Sequence, residues 1–210
     1  MSSLRCDAYA ASRPQAGRAV NEDAFLILRG DPTVAALCDG AGHAERAARR
    51  ALRLFERLVK DVPSSDLGLF TTWSSWVKLL DSALLGGAES TFLAAAILDG
   101  RLVGACVGDS RAYQLSREGE LRLLSEGAAK ARLGSGECRP FPLHVALAAG
   151  DWVLLLSDGA WAPLGMARLR AVLAAGLARD AADLPGSILD AAGRGGRGDD
   201  MTAVALRLRG

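Results

Sequence analysis

The sequence predicts an α+β fold, a sandwich of antiparallel sheets with helices on the outside. Three observations predict it. The chain runs in the order strands, two helices, many strands, helices and a last strand, whereas a parallel fold alternates strand and helix throughout. The central strands are joined by hairpin-type links such as Asp99-Gly100. Runs such as VAALC and WVLLL are almost continuously apolar, as strands covered on both faces are.

Short strands are expected at about 4–11, 23–29 (DAFLILR) and 33–38 (TVAALC). From Ala44 a helical stripe follows, with Ala47, Ala48, Ala51, Leu54, Phe55, Leu58 and Val59 at three-and-four spacing. Arg46, Arg49, Arg50, Arg53 and Arg57 lie largely opposite it and read as a solvated face interleaved with Glu45 and Glu56. Pro63 to Asp66 offers capping residues for a second helix, whose stripe is Leu69, Phe70, Trp73, Trp76, Val77 and Leu80 and which Gly86-Gly87 ends. Tryptophans at that spacing are expected in the core. STFLAAAIL, RLVGACVG and AYQLS read as strands, with LRLL at 121–124 as a weaker one. Residues 125–147, with GSGE and two prolines, are expected to be loop. DWVLLLS is a buried strand, helices are expected at about 166–178 and 183–193, and MTAVALRLR closes the chain with Thr202, Val204, Leu206 and Leu208 on one side.

At 210 residues the chain is long enough for one good core and too short for two comfortable domains, so a single domain over 1–210 is expected. No apolar stretch approaches the roughly 20 residues of a membrane span, and MSSLRCDAYAASRPQ lacks the apolar core of a secretory signal. Cys6, Cys38, Cys106 and Cys138 are far apart with no CxxC pair, which fits buried structural thiols in a reducing cytoplasm. A cytoplasmic monomer with no membrane partner is expected. The net charge of +1 removes the strongest electrostatic reason to propose a nucleic-acid partner.

The carboxylates carry the chemistry. VAALC ends in Asp39-Gly40, LVGACVG in Asp109-Ser110 and WVLLLS in Asp158-Gly159; the last strand is entered through Asp199-Asp200, and Glu22-Asp23 opens another. Acidic groups at the ends of the most apolar strands lie beside the core, where unpaired charge is costly and like charges raise one another's pKa unless a cation joins them. Oxygen donors with no accompanying His or Cys cluster suit Mg²⁺ or Mn²⁺ rather than Zn²⁺. Neighbours on an extended chain face opposite ways, so one of Glu22 and Asp23, and one of Asp199 and Asp200, is structural or lies behind the ligands. Arg18, four residues before Glu22, supplies a planar cation of the kind that binds a phosphate oxyanion; alone, it reads as a surface ion pair.

RAVNEDAF, LCDGAGH, STFLAAAI, VGDSRAYQL, LLLSDGAW and GDDMTAVAL, in this order and spanning almost the whole chain, resemble the motifs of the metal-dependent protein phosphatases of the PP2C type. The resemblance implies an α-β-β-α sandwich with a binuclear Mn/Mg centre at one end, hydrolysing phosphoserine and phosphothreonine in proteins. It implies that Asp39 bridges both ions and Gly40 offers a backbone carbonyl to one. Asp158 and Asp199 resemble ligands of the other ion, which makes Asp200 the neighbour. Glu22 and Asp23 resemble the acidic pair that holds metal-bound water, Arg18 the phosphate-binding arginine, and Asp109 the aspartate that helps bind a weaker third ion. The implied attack is by a hydroxide bridging the two ions, in line at phosphorus.

The chain departs from the family in two places. Animal members carry a histidine directly after Asp-Gly; here Ala41 stands there and His43 lies two residues on, so the proton for the leaving oxygen comes from His43 or from metal-bound water. The other histidine, His144, gets no role. Residues 125–147 are too few for the helical flap of typical bacterial relatives, which puts substrate choice and third-metal affinity in question. Arg194 and Arg197 read as part of a solvated Gly/Arg loop, with contact to a phosphorylated substrate as the other reading. A bacterial enzyme opposing a Ser/Thr kinase is the leading expectation. The alternatives are a regulatory phosphoprotein-binding relative with little activity, or a hydrolase of small phosphoesters.

Overall fold

A computed structural model describes residues 5–40, 45–177, 180–195 and 198–210. Among these residues ten strands form two five-stranded antiparallel sheets. The first sheet joins β1 (Arg5–Arg13), β10 (Met201–Arg209), β9 (Trp152–Leu156), β6 (Arg111–Leu115) and β7 (Leu121–Leu123) in that spatial order. The second joins β2 (Ala24–Leu28), β3 (Thr33–Cys38), β4 (Phe92–Leu98), β5 (Arg101–Val107) and β8 (Phe141–Ala146). Helices α1 (Glu45–Lys60) and α2 (Phe70–Leu84) cover the second sheet; α3 (Asp158–Trp161), α4 (Gly165–Leu177) and α5 (Leu184–Gly193) cover the first.

Alternation along each strand divides the apolar side chains among three layers. On β4, Leu93, Ala95 and Ile97 point inward to meet Val153, Leu155, Val204 and Leu206 of the other sheet. Phe92, Ala94 and Ala96 point outward beneath α1 and α2. That outer layer centres on Phe55, whose ring packs edge-on against Trp76 and Phe92 at centroid distances of 5.7 and 5.2 Å, while the Trp73 indole donates to the Leu67 carbonyl at 2.8 Å. Both tryptophans are core, as their spacing predicts. The layer on the other side packs Leu154, Leu156 and Ala205 under Leu169, Leu173, Ile188 and Leu189.

Val204, Leu206 and Leu208 share the inter-sheet side, and Thr202, at the same phase, is fully buried. Asp99-Gly100 makes the β4–β5 hairpin with both residues at positive φ, 48° and 70°, the geometry of a type I′ turn. Cys38 and Cys106 are fully buried free thiols; Cys6 and Cys138 are partly exposed ones. Among the described residues no helix is long and apolar enough to cross a membrane.

The expectation that 125–147 is all loop is corrected. Phe141–Ala146 forms edge strand β8, pairing with β5 from Cys106↔Phe141 to Arg101↔Ala146. Only Leu143 is buried on it, and an edge strand tolerates Pro142, so neither apolar alternation nor an absence of proline marked it. His144 sits exposed on that strand. Residues 125–140 carry no helix; Leu133 instead bridges to Ser90 beside β4. The second helix also starts later than its capping residues suggest, because Ser64–Gly68 forms a 3-10 turn ahead of Phe70. The four-residue α3 had no sequence expectation.

Candidate metal centre

The antiparallel registers bring the acidic turns to one end of the sandwich. Ala24 pairs with Cys38, Leu37 with Leu93, and Phe92 with Val107, so Asp23, Asp39 and Asp109 leave the second sheet at the same edge. In the first sheet Leu156 pairs with Ala203 and with Arg111, which sets Asp158 and Asp199 at the corresponding edge. Each half of the carboxylate set therefore comes from a different sheet.

The turn at Asp39 is held by its backbone. Its N–H donates to the Thr91 hydroxyl at 2.9 Å, and its carbonyl accepts from the Thr91 N–H at 2.8 Å and the Ser90 hydroxyl at 3.0 Å. The Gly40 N–H donates to the Glu22 carbonyl at 3.3 Å, joining the two acidic turns of this sheet. These bonds leave the Asp39 carboxyl to the site. Burial first, then the charges of Asp23 and Asp158, push it up to about 9; the Asp39 and Asp158 carboxyls are close enough to share a proton. Asp158 is also raised, by burial and then by Asp199.

Asp23 is 3% exposed, and neither of its carboxylate oxygens has a hydrogen-bond partner. Burial drives it up to about 7; the nearby Ser157 and Thr202 hydroxyls pull the other way, and the charges of Asp200 and Asp158 add to the rise. The two members of the Asp199-Asp200 pair diverge, as alternation requires. Asp200, 4% exposed, accepts the N–H groups of Gln15 and Glu22, both at 2.6 Å, and so pins the ends of the segment bearing Arg18. Asp199 is exposed and accepts the Asp200 N–H at 2.9 Å. The close approach of the Asp158 turn depends on Gly159, where a Cβ would sit 2.1 Å from the Asp200 carbonyl oxygen.

Arg18 is exposed, and its guanidinium lies 3.5 Å from the Glu22 carboxylate, which is the surface pair its spacing allowed, located at the mouth of the site. Arg194 is exposed beyond α5. His43 and Arg197 lie outside the described residues. Sequence reasoning missed Arg132, whose guanidinium approaches Asp109 at 3.6 Å, and the Trp161 indole, which donates to the Asp109 carbonyl at 3.0 Å while Arg111 stacks 3.3 Å above the ring. No local signal marks Arg132; it reaches Asp109 because Leu133 bridges Ser90.

The donor set fits a hard divalent cation. Both buried carboxylate oxygens of Asp23 lack hydrogen bonds, a cost that a cation or its water would remove. Among the described residues no three acidic, His or Cys side chains stand at metal-chelating distances. Beyond the Asp39–Asp158 pair, backbone carbonyls and water would have to complete the coordination of an ion here.

No protein-family model matches the chain, and no curated protein matches it. Solved structures do. The catalytic domain of the serine/threonine phosphatase PstP, in complex with two manganese ions, is 27% identical, with a TM-score of 0.83 over 99% of this chain and 100% of that one. The Mycobacterium tuberculosis phosphatase PstP/Ppp is also 27% identical, with a TM-score of 0.81 over 98% and 99%. RsbX in complex with magnesium, at 15% identity and a TM-score of 0.78 over 99% and 98%, shares the fold. Two antiparallel sheets flanked by helices, six motifs in order and these likenesses make the chain similar, over nearly its whole length, to the PP2C-type metal-dependent serine/threonine phosphatases.

Proposed function

We propose that the chain is one PP2C-type phosphatase domain that hydrolyses phosphoserine and phosphothreonine in proteins, in a bacterial system where a Ser/Thr kinase supplies the phosphate. The observation that carries this reading is that Asp23, Asp39, Asp158 and Asp199 come from two sheets to one end of the sandwich, with the Asp23 oxygens buried and without hydrogen bonds. Asp39 and the Gly40 carbonyl, with Asp158 and Asp199, would hold two Mn²⁺ or Mg²⁺ ions, and Asp109 a weaker third. Such ions supply Lewis acidity, polarising phosphoryl oxygens and making water acidic enough to attack phosphorus near neutral pH.

The chain's own residues then position and neutralise. Glu22 and Asp23 accept hydrogen bonds from water at the site, aligning it for in-line attack. Arg18, already at the mouth, exchanges its contact with Glu22 for two phosphoryl oxygens, which its planar fork matches. Asp200 keeps that arginine's segment in place through the Gln15 and Glu22 amides. The leaving serine or threonine oxygen takes its proton from His43 or from water.

The test is turnover of p-nitrophenyl phosphate and of phosphothreonine peptides with Mn²⁺, with and without EDTA. Metal-dependent release is expected from both, and Asp39→Ala and Asp158→Ala are each expected to lose about a hundredfold to a thousandfold in kcat with an unchanged circular-dichroism spectrum, as loss of a group acting directly on the reacting charge does. Arg18→Ala should chiefly raise KM. Near-normal turnover in either aspartate variant refutes the metal assignment. Release from the small ester alone would make the chain a small-phosphoester hydrolase, and none from either would leave the regulatory relative.

A further inference from the structure

The arginine row of α1 is not explained by phosphate hydrolysis. Five of its cations, Arg46, Arg50, Arg53, Arg57 and Lys60, follow one another at four-three-four-three spacing and are all exposed, so they form one straight stripe opposite the buried Ala48, Ala51, Leu52 and Phe55. The stripe is about 21 Å long at 1.5 Å per residue. Arg49 flanks it, and no aromatic or apolar side chain interrupts it.

An amphipathic helix needs a solvated face, but it does not need five cations in one row along it. Arg46–Arg50, Arg50–Arg53, Arg53–Arg57 and Arg57–Lys60 are neighbours on the helix surface, and each such like-charged pair destabilises the helix. Glu56 relieves the last, pairing with Lys60 at 2.7 Å. Arg46 stands in the first turn, where the helix dipole disfavours a cation. Neighbouring cations of the stripe therefore repel one another, and bound negative charge relieves that repulsion.

We propose that this stripe is a docking surface for an acidic segment of the phosphoprotein substrate. The inference rests on the phosphatase reading for what occupies the site. Position and charge select the occupant. The stripe begins seven residues after Asp39, so it starts on the stretch of chain that leaves the candidate centre. Its length matches about six residues of extended peptide at 3.3 Å each. Arginine forks pair bidentately with the carboxylates of Asp and Glu. A nucleic-acid duplex is disfavoured because it spans far more surface: the whole chain carries only +1, so the rest of the molecule is net acidic and repels a long polyanion that a short segment never reaches.

Two phosphothreonine peptides test this, alike except that one continues into six Asp and Glu residues and the other into Ser and Gly. The wild type should turn over the acidic peptide with kcat/KM about 10-fold higher at 50 mM salt, within the range of electrostatic steering, and the preference should shrink at 500 mM. The triple variant Arg50→Gln, Arg53→Gln, Arg57→Gln should lose the preference while hydrolysing p-nitrophenyl phosphate as before. Equal turnover of the two peptides, or a preference that survives in the triple variant, overturns the docking surface while leaving the phosphatase reading intact. If p-nitrophenyl phosphate itself is not cleaved, the phosphatase reading fails, and fluorescence anisotropy of the labelled acidic peptide without phosphate still decides whether the stripe binds it. Stripe-dependent binding of a 20-base-pair DNA at 150 mM salt, without peptide preference, overturns the proposal in favour of a nucleic-acid partner.

Discussion

Asp23 and Asp39 sit at about 7 and about 9 against an ordinary 3.8, each because burial disfavours its charged form before neighbouring carboxylates add to the effect. The metal-free folded chain thus keeps protons that the unfolded chain has released. Its stability from these groups is fully present below about pH 4 and is lost as pH rises through 7 and then 9. Urea midpoints of EDTA-treated protein should fall from pH 5 to pH 9, and Asp39→Asn should flatten the fall. Mn²⁺ affinity should run the opposite way, rising with pH, because the ligands bind deprotonated. Gly159 gives a second test at this scale. Its missing Cβ would meet the Asp200 backbone at 2.1 Å, an obstacle that cannot rotate away. Gly159→Ala should cost about 1–3 kcal/mol in denaturant unfolding and weaken Mn²⁺ binding. Gly186→Ala, with nothing within 4 Å of the new methyl, is the control and should be neutral or slightly stabilising.

The stretch from 125 to 140 stays in place without a helix because α2 reaches out to hold it. Asp81, 8% exposed, accepts the N–H of Gly134 at 2.7 Å and of Gly136 at 3.2 Å. Asp81→Ala strands those donors and should cost about 1–3 kcal/mol of stability, within the usual range for a buried donor left unpaired. Amide exchange at 133–136 should rise with it, and Arg132, two residues before Gly134, should then hold Asp109 less firmly. Such links separate what the sequence shows of the elements from what it hides. VAALC, WVLLLS and FLAAAI are legible because two covered faces leave an apolar run with no ambiguity. β8 is not, since one buried leucine between exposed neighbours carries no period, and only pairing to β5 makes it a strand. The residues at strand ends were legible for the opposite reason: a carboxylate directly after an apolar run is conspicuous whatever the fold. Arg132 and Trp161 were not, because their contacts with Asp109 exist only once distant segments have met.

At the scale of the whole molecule, the order of apolar runs carried the sandwich, but neither the assignment of strands to sheets nor their spatial order can be read from periodicity, which is local. Those follow from long-range pairing, such as β1 along the full length of β10. Metal binding should be felt at this scale as well. Mn²⁺ at about 100 times its dissociation constant should stabilise the fold by about 2.7 kcal/mol, which in a chain of this size raises the melting midpoint by about 5–10 °C, and EDTA should reverse it. An unmoved midpoint would mean that the carboxylates do not hold the ion. Asp39 follows a strand of one sheet and Asp158 a strand of the other, and between the sheets lies an interdigitated apolar layer that includes Leu37, Leu93, Val153, Leu155 and Val204. That apolar layer is therefore the spacer that sets the gap between the two jaws of the centre. Trimming it, as in Val204→Ala, should let the jaws drift, so that side chains with no polar contact of their own tune ion affinity and Mn²⁺ binding weakens before the fold gives way.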